Sequence, residues 1–140
     1  MQCADLNALE VRCQDLLHKG LEKFDWQWDD YTEMALTHVT KQDRKKVQKT
    51  LEDEFSQCWT YRKVKKAPVA MRDLVEDKGG LSRGQLFYCS NPDHEVLLVG
   101  AWWPWADRKT TSLRLSLAPR MTDVTQDDLN FLMKKWLDLS

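Results

Sequence analysis

Gln85–Leu117 reads QLFYCSNPDHEVLLVGAWWPWADRKTTSLRLSL, three short β-prone runs broken by Asn91-Pro92-Asp93 and by Pro104-Trp105-Ala106-Asp107. In the last run Leu113, Leu115 and Leu117 alternate with Ser112, Arg114 and Ser116, which sets apolar side chains on one face of a strand and polar ones on the other. The middle run, Val96 to Trp103, does not alternate, so both of its faces have to leave water. The stretch predicts a three-stranded antiparallel meander over about 85–117, packed with N-terminal helices and a C-terminal helix in a single α+β domain spanning 1–140. The last helix is expected on one face of the meander, and the first two on the other face or along an edge.

Working outward, Leu6, Leu9, Cys13, Leu16, Leu17 and Leu21 recur at helical spacing behind Asp5, a candidate N-cap. Gly20 either ends this helix or lets a neighbour approach closely. The stretch from Phe24 to Tyr31 packs four aromatics and three acids into eight residues. It reads as a connection whose rings cap the core, or as an acidic aromatic surface suited to a cationic ligand. A short helix is expected from Tyr31 to Leu36. Thr40 opens the next, with Asp43 three residues on and an apolar stripe of Val47, Leu51, Phe55, Cys58 and Trp59. Tyr61 to Lys66 is basic and reads as an edge strand. Pro68 starts a short helix carrying Met71, Leu74 and Val75, which Gly79-Gly80 stops. Thr125 caps a last helix with Leu129, Leu132, Met133, Trp136 and Leu137 on one face.

Composition bounds the function. A chain of 140 residues with 42% hydrophobic and 31% charged side chains is globular and large enough to bury a core without staples. The uncharged run from Val96 to Ala106 is too short for a bilayer, which takes about 20 residues. No basic head precedes an apolar block at the amino terminus, so a cytoplasmic location is expected. Cys3, Cys13, Cys58 and Cys89 show no CxxC spacing; Cys3 and Cys13 on one helix would stand about 15 Å apart, too far to bridge. Reduced, mostly buried thiols are expected. The net charge is −1, but residues 1–35 hold 3 basic and 8 acidic side chains and residues 36–73 hold 10 and 5, so the two segments are expected to neutralise each other.

Few constellations suggest chemistry. No nucleotide fingerprint is present, and Lys78 to Gly84 precedes a strand instead of opening a helix, which makes it a connector. Cys89, His94 and Asp93 or Glu95 are the parts of a nucleophilic site, yet nothing local supplies a thiolate-stabilising setting or an oxyanion hole. His18 and His38 lack paired ligand spacing, so neither a metal nor a cofactor is expected. The basic runs around Trp59 and Tyr61 are interleaved with acids and the pI is near 6.3, which argues against nucleic acid.

Trp102, Trp103 and Trp105 are the most unusual feature. Successive strand residues face opposite ways, so Trp102 and Trp103 cannot enter the same core. Either helices cover both faces, or one ring serves a partner or a ligand. The sequence therefore points to a non-enzymatic interaction module, a homodimer that binds a protein partner through an aromatic surface of the sheet. The alternative is a small-molecule binder whose pocket between sheet and helices is lined by Tyr88, Trp102, Trp103 and Trp105, with Arg114 available for an anionic group.

Overall fold

The computed structural model describes residues 4–120 and 123–139. The chain begins with α1 (Ala4–Leu16), which runs into a π-helical turn, Leu17–Leu21, followed by β1 (Gln27–Asp29) and β2 (Met34–Thr40). Then come α2 (Arg44–Glu54), β3 (Gln57–Thr60), a 3-10 turn (Lys63–Lys66) and α3 (Val69–Asp77). Next are β4 (Leu86–Cys89), β5 (Val96–Pro104) and β6 (Thr110–Pro119), and α4 (Gln126–Trp136) closes the order.

The fold is α+β, but the sheet has six antiparallel strands in the order β1-β2-β6-β5-β4-β3, not the three of the expected meander. The meander forms its centre. β2 extends it beyond β6, from Ala35 opposite Leu115 to Thr40 opposite Thr110, and β3 extends it beyond β4. β1 pairs outside β2 in the stretch expected as the aromatic connection, and β2 and β3 overlap stretches where helix was expected. Met34–Thr37 is buried on both faces, with Ala35 in one cluster and Met34 and Leu36 turned the other way, and exposed residues alternate with buried ones only from His38 on, so the first half of the strand shows no period of two. At Phe55 the backbone turns extended and ends α2; Cys58 and Trp59, which match the helical spacing, sit in β3. Tyr61 to Lys66, expected as the edge strand, instead holds the 3-10 turn.

The expected split of the helices is also corrected. Leu9, Cys13 and Leu16 of α1, Val47 and Leu51 of α2, and Leu129, Met133 and Trp136 of α4 join one cluster with Val96, Leu98, Trp102, Leu113, Leu115 and Leu117. All three helices therefore share one face. On that face Gly100 leaves room for the Phe55 ring, 3.5 Å from where a Cβ would stand. The opposite face carries α3, whose Met71 and Val75 pack on Phe87, Cys89, Leu97 and Val99. β5 is thus sandwiched, as its unbroken apolar run requires, and Trp102 and Trp103 point to opposite sides.

Local chemistry sets the boundaries. Gly20 has φ +114° with nothing within 4 Å of a Cβ, so it stops the helix and does not serve close packing. Asp5 lies inside α1, and Cys3 falls outside the described residues. α2 starts at Arg44 with no side-chain cap, contrary to the box expected from Thr40. Thr125 does cap α4, its hydroxyl accepting from the Asp128 N–H at 3.1 Å. β2 stops short of the last residues of β6, leaving a bare edge there; Gln126 Nε2 donates to the Leu117 carbonyl at 2.7 Å and satisfies it. Ion pairs between the first two segments run opposite to the expected sense, with bases of the first on acids of the second: Lys19 with Glu54, and Lys23 with Asp43 at 3.1 Å.

Candidate interaction surface

α3 packs on the β4–β5 half of its face, and neither hydrophobic cluster places a helix over the half formed by β1, β2 and β6. There the side chains that project are Asp29 of β1, Leu36 and His38 of β2, and Ser112 and Arg114 of β6, since Leu36 is opposite Arg114 and His38 is opposite Ser112. Trp103 is opposite Ser112 across the β5–β6 ladder and joins the same surface.

These groups hold one another. The Arg114 guanidinium stacks over the Trp103 ring at 4.4 Å, and its Nε lies 3.5 Å from Asp29 Oδ2. Burial lowers the basicity of Arg114 and Asp29 acts against that, so the guanidinium keeps its charge. Burial also works to raise the Asp29 carboxyl. The Thr32 hydroxyl, the Tyr31 N–H and the charge on Arg114 outweigh it and leave Asp29 below its ordinary value. Trp105, beyond the strand end, donates its indole N–H to Ser112 Oγ at 2.7 Å and meets the His38 ring edge-on at 5.3 Å. It is nonetheless 47% exposed. Asp107 ties the turn below it by accepting from the Lys109 and Thr110 N–H groups.

Of the five residues singled out from sequence, the structure brings Trp103, Trp105 and Arg114 together. It places Tyr88 and Trp102 elsewhere, on the helix-covered face, at 0% and 2% exposure. Tyr88 packs against Phe55 there, and burial pushes its phenol above the ordinary range. His38 and Asp29 complete the surface and were not singled out; nothing in the local sequence shows that β2 and β1 lie beside β6.

The Cys89 thiol is buried between α3 and the sheet, and burial raises it to about 12, so it is protonated at neutral pH. Cys13, Cys58 and Cys89 are all free thiols. Among the described residues no three His, Cys, Asp or Glu side chains gather as metal ligands, and no helix is long and apolar enough to cross a membrane. The chain matches no protein-family model, and no curated protein or solved structure is significantly similar to it.

Proposed function

We propose that the protein is a non-enzymatic interaction module that self-associates and meets a protein partner through the aromatic surface of Trp103, Trp105, His38 and Arg114. The observation that carries this reading is Trp105, a large ring half exposed yet held by Ser112 and His38. A ring already fixed in place loses little freedom when a partner covers it, and exposed tryptophans next to arginine are the side chains from which binding energy is usually drawn. Arg114 and Asp29 neutralise each other, so the surface offers its own copy little charge to repel. Free thiols at Cys13, Cys58 and Cys89 suit a reducing compartment, and we place the protein in the cytoplasm.

Light scattering tests the reading. The wild type is expected at twice 16.5 kDa, and Trp105→Lys is expected to weaken the dimer by about tenfold or more. A monomeric wild type at about 100 μM, or an equally tight dimer in the variant, overturns it.

A further inference from the structure

A groove of about 470 Å³ runs along the other flank of α3, away from the aromatic surface. Leu74, Met71, Leu97 and Trp59 give it apolar walls, and Pro92 and Pro119 close its end. Its volume is in the range of small-ligand sites. Asp73 and Asp77 line it from α3, one helical turn apart on the same side, and Arg120 lines it from the end of β6. Asp73, Asp77 and Arg120 are exposed and make no ion pair among the described residues. Charges of opposite sign thus border one apolar groove from separate elements without meeting.

We infer that this groove binds a short apolar peptide with both ends free, its ammonium at Asp73 and Asp77, its carboxylate at Arg120 and its side chains on Trp59, Leu74 and Leu97. A ligand of single sign would meet a like charge on one wall; a molecule with opposite charges separated by an apolar body satisfies both. The β3 wall adds an acceptor and a donor, Gln57 Oε1 and Trp59 Nε1, which are buried without a hydrogen-bond partner among the described residues. The site stands on different residues from the proposed self-association surface, so either can fail without the other.

The test is calorimetric titration of the full chain with leucylleucine, N-acetyl-leucylleucine and leucylleucine amide. Leucylleucine is expected to bind with a dissociation constant of about 1 mM. Each cap, by removing one charge, is expected to weaken binding about tenfold. Arg120→Gln should make the free acid and the amide bind alike, and Asp73→Asn with Asp77→Asn should do the same for the free amine and the acetylated form. All three positions are exposed, so these variants keep the fold. No binding up to about 10 mM, caps without effect on the wild type, or variants that keep full discrimination would each overturn the inference.

Discussion

The two tryptophans at 102 and 103 are chain neighbours, yet they serve the two faces of the sheet on different terms. Trp102 is sealed under α1, α2 and α4, where three helices and four strands share one cluster. Trp103 lies on the opposite face, half-buried, with Arg114 stacked on its ring and Gly79 against its edge. The first contributes by leaving water altogether; the second contributes by contacts with a few polar and charged neighbours. A strand passing between them needs no loop to separate core from surface, because one residue of advance reverses the side.

Substitution sharpens that contrast. Trp102→Ala should cost about 3–5 kcal/mol of unfolding free energy, the range for truncating a large buried ring. Trp105→Ala, on the exposed end of the other face, should cost about 1 kcal/mol or less. Chemical denaturation of both variants checks the difference, and comparable losses would mean that the second face is as deeply buried as the first.

Gly79→Ala should fall between them, at about 1–3 kcal/mol. Gly79 has φ +111°, and its added Cβ would stand 2.9 Å from Trp103 Cη2, so backbone strain and a clash act together. Displacement of the ring should appear in near-ultraviolet circular dichroism. An unchanged spectrum would show that the ring is not held by this contact.

The smallest expected effect is electrostatic. Asp29→Asn should lose about 0.5–1 kcal/mol at neutral pH, as expected for a partly solvated ion pair. Because the folded carboxyl is held below its ordinary value of 3.8, its contribution is complete above that value and disappears as pH falls through the folded one. The gap between wild type and variant should therefore be constant from pH 7 to about 4 and close below that. A gap that closes nearer neutrality would place the effect on another group.

The proposed surface was only partly legible in the residues. Trp103 and Trp105 share strand parity, and Arg114 shows as a polar position in an alternating run, so a common side for some of them follows from period two. Asp29 and His38 carry no such mark: they reach Arg114 and Trp105 only because β1 and β2 extend the sheet beyond β6. Tyr88 and Trp102 read from sequence as candidate binding residues beside Trp103 and Trp105, Tyr88 as pocket lining, because aromatic character alone does not distinguish a core ring from a ligand- or partner-facing one. Trp59 misled in a different way. It continues the apolar spacing of α2, although the helix ends at Phe55 and Trp59 lies across from Phe87 in a strand.

Local pattern by itself determined the central meander, the cap at Thr125, the stop at Gly79-Gly80 and the need for cover on both sides of Val96–Trp103. These depend on periodicity and backbone preference, which act over a few residues. The number of strands, the gathering of α1, α2 and α4 on one face and the half of the other face without a packed helix were decided only by tertiary structure. Pairing partners far apart in the chain are chosen by how much apolar surface the whole assembly removes from water, and no short stretch carries that sum.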